Sequence, residues 1–193
     1  MPETFSNPKY KVKPKGVSNR NGGMEWIRQH ATEGVLYFAD DDNTYDIRLF
    51  EEIRYTRKVS MFPVGLVTGH GLSTPVLKER RFVGWYDGWI SNRKFPVDMA
   101  GFAVNIPFLL TRPNARMPYL AGYEETGFLE SLDIPKEDLE FVADNCTKIY
   151  VWHTKTHKNP PSSRDILKTD YDGTNLRILQ KRMIIRDSKE SKL

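Results

Sequence analysis

The chain has 193 residues, 39% hydrophobic and 28% charged, with 29 Lys+Arg against 25 Asp+Glu and a formal net charge of +4. It is too apolar for a wholly disordered chain, its single cysteine, Cys146, cannot build a disulfide scaffold, and no run approaches the ~20 apolar residues of a membrane span. The positive excess sits in residues 1–20 and 158–193, while 21–157 hold more acids than bases, so the body lacks the basic stripe of a nucleic-acid binder and no nucleic-acid partner is expected.

In chain order, Pro2, Pro8 and Pro14 among alternating lysines predict an extended leading segment through residue 20. No basic n-region precedes an apolar stretch, so no signal peptide is read. Met24, Trp26 and Ile27 give helical spacing over Gly23–His30. Gly34–Ala39 (GVLYFA) predicts a strand buried on both faces, as in a parallel sheet. Asp40, Asp41 and Asp42 follow at once, then a helix over Ile47–Arg54 with Asp46 as its N-cap and Ile47, Phe50 and Ile53 on one side. Val59–Val67 predicts a strand with an edge or bulge at Pro63. Phe82–Tyr86 predicts another, and Gly101–Leu110 is an apolar segment whose second half Pro107 leaves open. Phe128–Leu132 predicts a short helix, Pro135–Val142 a helix with Pro135 at its start, and Lys148–Trp152 a last strand. Residues 158–193 read as a basic tail with a short helix over Leu176–Ile185.

The strand-then-DDD unit carries the chemistry. Acids at the carboxyl end of a parallel strand lie where open α/β sheets bind ligands. Adjacent carboxylates repel unless a cation or hydrogen bonds offset the repulsion. Such oxygens suit Mg²⁺ or Mn²⁺, which keep water and phosphate as their other ligands. An EF-hand register fails, because Tyr45 would fall where the loop requires glycine.

Three blocks, GVLYFADDDNTYDIRLFEEIR, FPVDMAGFAVNIPFLL and NCTKIYVWHTKT, resemble the galactosylgalactosylxylosylprotein 3-beta-glucuronosyltransferases, with the likeness running from about Pro14 to Thr156. The resemblance implies an α/β chain of the GT-A glycosyltransferase fold, here an N-terminally truncated nucleotide-sugar half plus an acceptor-binding half. Residues 1–57 would be the remainder of the UDP-sugar and metal half, 58–157 the acceptor and catalytic-base half, and 158–193 the tail. It implies inverting, Mn²⁺-dependent transfer of glucuronate from UDP-glucuronate to the 3-hydroxyl of a terminal galactose on a proteoglycan core protein. A Golgi membrane location with a lumenal catalytic domain is implied, with a membrane anchor in the intact protein and a homodimer. The alternative is a non-catalytic glycan-binding or interaction module descended from such an enzyme.

Carried over by position, Asp42 is implied as the Mn²⁺ ligand, and Asp40 and Asp41 as donor contacts. Lys15, Arg20, His153 and Lys155 are implied donor contacts too. Glu130, in FLESL, is the implied catalytic base; Trp89, Arg93 and Asp98 are implied acceptor contacts. Two positions depart from the family pattern, with Ser73 standing for a glutamate and Thr126 for an arginine. Asn145-Cys146-Thr147 is an N-glycosylation sequon, making Asn145 a candidate glycan carrier.

Overall fold

A computed structural model describes residues 14–67, 70–154 and 171–190, with side chains through residue 183. Its described strands form two mixed sheets. The first, in the order β1-β7-β3-β8, joins β1 (Val35–Tyr37), β7 (Phe102–Asn105), β3 (Val59–Met61) and β8 (Leu139–Phe141). The second, β2-β9-β4-β5-β6, joins β2 (Thr44–Tyr45), β9 (Val151–Trp152), β4 (Val64–Gly65), β5 (Leu72–Lys78) and β6 (Arg81–Tyr86).

Helix α1 (Val17–His30) begins earlier than the proline-rich leader predicts. Val17 and Met24, two turns apart, are both buried, and that docking outweighs the helix-weakening Gly22 and Gly23. Strand β1 is packed on both faces as expected: Leu36 faces one core cluster, and Val35 and Tyr37 face another. Its setting differs from the expectation. It is the edge strand of its sheet, half-buried, and runs antiparallel to β7 with Leu36 opposite Val104.

Helix α2 (Arg48–Ile53) follows the acidic loop, and the Asp46 carboxylate accepts the Arg48 N–H at 2.9 Å. Leu49 and Ile53 are its buried residues, whereas Ile47 and Phe50 are exposed, so the helix turns a different face inward from the one predicted. The Val59–Val67 strand is split in two. Pro63 cannot donate to a ladder, and the chain changes sheets there.

Strand β5 was not read from the sequence, because Pro75 interrupts its pattern. The Asn175 side chain supplies what the irregular ladder lacks. Its Oδ1 accepts the Leu77 N–H at 2.8 Å, and its Nδ2 donates to Pro75 O at 3.0 Å and Cys146 O at 2.9 Å. A two-residue turn, Glu79-Arg80, links β5 to β6 with both residues at positive φ.

Asn105 caps α3 (Ile106–Leu110) by accepting the Phe108 N–H, with Pro107 in the first turn, where its missing N–H costs nothing. Helix α4 (Glu124–Ser131) starts four residues before the predicted helix at Phe128. The helix predicted over Pro135–Val142 is a 3₁₀ turn (Lys136–Asp138) followed by β8, which pairs parallel to β3 through Leu139 opposite Val59. In the turn α5 (Val142–Cys146), Ala143, Asp144, Asn145 and Cys146 all have φ near +56°. Such geometry costs roughly 1–2 kcal/mol per non-glycine residue. Glu52 anchors it by accepting the Ala143 N–H at 3.0 Å. Burial pushes the Cys146 thiol pKa up.

The segment read as a tail contributes helix α6 (Asn175–Glu190), longer than predicted. Leu176 and Leu179 are fully buried against Leu72, Val76 and Tyr86 of the β5–β6 hairpin. Among the described residues, no helix is long and apolar enough to cross a membrane.

Candidate functional site

Strand ends and loops from both sheets converge on a cleft of about 320 Å³. Arg20, from α1, and Asp40, from the loop after β1, form one wall. Asp98, ahead of β7, and His153, after β9, form the floor between the sheets. Asp87, Trp89 and Arg93, from the loop after β6, face Glu124 and Glu125 in the first turn of α4.

Polar and charged side chains are paired around the cleft. Arg20 Nη2 donates to Asp40 Oδ1 at 2.5 Å, and Arg20 Nη1 reaches Lys15 O at 3.3 Å. His153 Nδ1 lies 3.1 Å from Asp98 Oδ2, while Asp98 Oδ1 accepts the Ala100 N–H at 3.0 Å. Ser73 is buried beneath this pair and accepts the Asp98 N–H at 3.2 Å. It therefore serves the acid from behind and does not line the cleft. Arg93 Nη2 donates to Asp87 Oδ1 at 3.0 Å, and its guanidinium lies 4.7 Å over the Trp89 ring. Thr126, at the other departing position, is buried, accepting the Phe95 N–H and donating to Glu130.

Glu125 is not paired in this way. Burial, reinforced by the nearby Asp98 and Glu124 charges, pushes its carboxyl pKa up to about 7. A carboxyl raised in this direction is suited to taking up a proton near neutral pH and giving it back. Glycine shapes two close approaches. A Cβ at Gly65 would fall 2.6 Å from Trp152, and one at Gly122, where φ is +81°, would fall 2.1 Å from Trp89. Both indoles need a bare backbone beside them.

The structure thus brings together Arg20, Asp40, Asp98, His153, Trp89 and Arg93. It does not bring in every sequence-predicted residue. Lys15, Asp41 and Asp42 are exposed and do not line the cleft, although the Lys15 carbonyl supports Arg20. Lys155 lies outside the described residues. Asn145 sits half-buried in the left-handed turn.

Glu130 stands apart from the cleft. It is exposed and absent from the cleft lining, and its Oε1 accepts a hydrogen bond from Thr126 at 3.3 Å. The resemblance places the base at Glu130 in FLESL, whereas the helix begins at Glu124 and it is Glu125 that lines the cleft. Asp87, Glu124 and Glu125 were all missed. The signal for the last two was an acidic pair at a helix start, the usual place for carboxylates in a first turn.

The acidic loop is fastened at its backbone. Tyr45 donates to Asp40 O at 2.7 Å, and Thr154 donates to Asp42 O at 2.7 Å. The Asp42 carboxylate is left exposed. Among the described residues, no three His, Cys, Asp or Glu side chains cluster as a metal cage. A single exposed carboxylate fits a hard divalent ion that takes its other ligands from water and phosphate.

A cleft between mixed sheets, with a half-exposed tryptophan beside carboxylates and guanidinium groups, is a surface of the kind that suits a carbohydrate on an α/β protein. The chain belongs to glycosyltransferase family 43, whose description matches residues 1–157. It is 56% identical over 187 residues to galactosylgalactosylxylosylprotein 3-beta-glucuronosyltransferase P of Drosophila melanogaster, covering 96% of this chain and 38% of that one. Against the S protein of the same fly it is 52% identical over 157 residues, 81% of this chain and 38% of the relative. Against the mouse 3-beta-glucuronosyltransferase 3 it is 44% identical over 179 residues, 85% of this chain and 53% of the relative. The chain therefore spans from under two-fifths to about half the length of these relatives.

Proposed function

We propose that the protein transfers glucuronate, with inversion, from UDP-glucuronate to the 3-hydroxyl of a galactose-terminated glycan. The observation that carries this is the arrangement of the cleft, in which Glu125 of α4 shares one cavity with the Trp89–Arg93 ring platform and the Arg20–Asp40 wall. The names of its relatives supply the sugar and the acceptor class. In this reading the fold is GT-A, with the α1 and β1 side facing the donor and the β6 loop and α4 facing the acceptor. Membrane anchoring, a lumenal Golgi setting and a homodimer belong to the same reading.

Glu125 takes the proton from the attacking hydroxyl, a contribution of typically 10²–10⁴-fold. Inversion requires one base on the face opposite the leaving group. Trp89 offers a flat apolar surface to a sugar ring, and Asp98 accepts from a ring hydroxyl while His153 holds its carboxylate in place. Arg20 gives the anionic donor a guanidinium. Asp42 would hold the divalent ion, Mn²⁺ in this reading, whose charge offsets that of the leaving pyrophosphate.

The test is a transfer assay of the full chain with UDP-glucuronate, Mn²⁺ and a galactose-terminated disaccharide. Glu125→Gln should lose at least about 100-fold in kcat with UDP binding intact, and Glu130→Gln should retain turnover. The opposite pattern would return the base to Glu130. Asp42→Ala should abolish the rise in melting temperature that Mn²⁺ and UDP give together; an unchanged rise removes Asp42 as the ligand.

A further inference from the structure

The loop that carries Trp89 is organised around a buried acid to which the sequence reading gave no role. The Asp87 side chain is 4% exposed and that of Arg93 5%, so their ion pair is almost out of water. Asp87 Oδ1 accepts two hydrogen bonds, from Arg93 Nη2 at 3.0 Å and from the Trp89 N–H at 2.7 Å. The second closes an Asx turn that fixes the backbone at Trp89. Arg93 then folds back, donating to the Trp89 carbonyl and covering one face of its ring. Gly122 and Tyr123 bound the ring from α4's side, yet Trp89 remains 46% exposed. Arg93 Nε is buried with no partner among the described residues.

From this we infer that Asp87 is the positioning residue of the sugar platform. It acts through Trp89 and Arg93, setting the indole plane with its Asx turn and holding the guanidinium in place with its charge. The inference rests on the acceptor reading above and adds to it the residue that makes the platform rigid before a sugar arrives. Preorganisation of this kind raises affinity by removing the cost of ordering the site on binding.

The test uses the full chain, with Asp87→Asn and Asp87→Glu each made alone and with Trp89→Phe. The difference in acrylamide quenching between each protein and its Trp89→Phe counterpart reports Trp89 alone. Asn keeps an oxygen for the turn and loses the charge, so Asp87→Asn should raise Trp89 quenching and weaken binding of a galactose-terminated disaccharide about 10-fold or more. UDP affinity should stay within about twofold, since Asp87 does not touch Arg20 or Asp40. Asp87→Glu keeps the charge and should recover part of the disaccharide affinity, a rescue that a purely structural role would not produce. If Asp87→Asn fails to fold, Asp87→Glu still decides through its Trp89 signal and its ratio of disaccharide to UDP affinity. Unchanged Trp89 quenching with unchanged disaccharide affinity overturns the inference, as does an equal loss for disaccharide and UDP. Absence of disaccharide binding in the wild type would sink the transfer reading, while the Trp89 signal would still decide the role of Asp87.

Discussion

The two walls of the cleft are built differently. On the β6 side, Asp87 and Arg93 are about 5% exposed, and the loop is closed by hydrogen bonds to its own backbone. On the α1 side, Arg20 and Asp40 are 20% and 30% exposed, and Asp41 and Asp42 stand in solvent. A buried ion pair loses much when one member is removed, whereas a wetted pair exchanges partners cheaply. In the proposed reading the first wall is the one ready-made for a neutral sugar. The second keeps its charges available for an anionic ligand and a cation.

Removing the backing of the ready-made wall should have the largest effect on stability. Asn175→Ala strands Leu77 N, Pro75 O and Cys146 O behind β5. At ~1–3 kcal/mol for each unsatisfied group, partly relieved by water, a loss of about 2–4 kcal/mol in a denaturant titration is expected. A loss under about 0.5 kcal/mol would show that α6 does not support this wall.

A smaller effect should follow pH. The folded Glu125 pKa of about 7 lies above the ordinary glutamate value of 4.5, so the folded state binds the extra proton. The stability that this proton gives is fully present below pH 4.5 and is lost as pH rises through about 7. Glu125→Gln should flatten that slope and leave the variant more stable than the wild type at pH 8 by about 2–3 kcal/mol. Parallel melting curves for the two proteins from pH 4 to pH 8 would contradict the buried setting of Glu125.

The wetted wall should respond least. Arg20→Ala is expected to cost under about 1 kcal/mol of stability while weakening UDP-glucuronate binding markedly. A stability loss as large as that of Asn175→Ala would erase the distinction between the walls.

Much of this site was legible because its residues lie beside strong local signals. The apolar run before Asp40 announced a strand with a loop at its end, and the residues of the FPVDMAGFAV and VWHTKT blocks flank the ends of β7 and β9. What failed was decided by long-range packing. Glu125 was missed because Glu124–Gly127 carries little apolar pattern, and the helix starts there only because Thr126 and Phe128 are buried beneath it. Strand β5 was hidden by Pro75, whose ladder defect is completed by Asn175, 100 residues away. Strand β8 was read as helix because its proline and acids mark a helix start equally well. Nothing in Ala143–Cys146 carries the usual glycine signature of left-handed backbone.

The crossing at Phe62-Pro63 has a mechanical meaning. The sheet containing β3 and the sheet containing β4 are joined there by two residues, one a proline with φ locked near −65°. Phe62 is in turn tied to Gly101 by its N–H, three residues beyond Asp98. Opening the floor of the cleft would require torsion that this step can scarcely supply. The placement of Asp98 relative to His153 is thus tied to this crossing between the sheets.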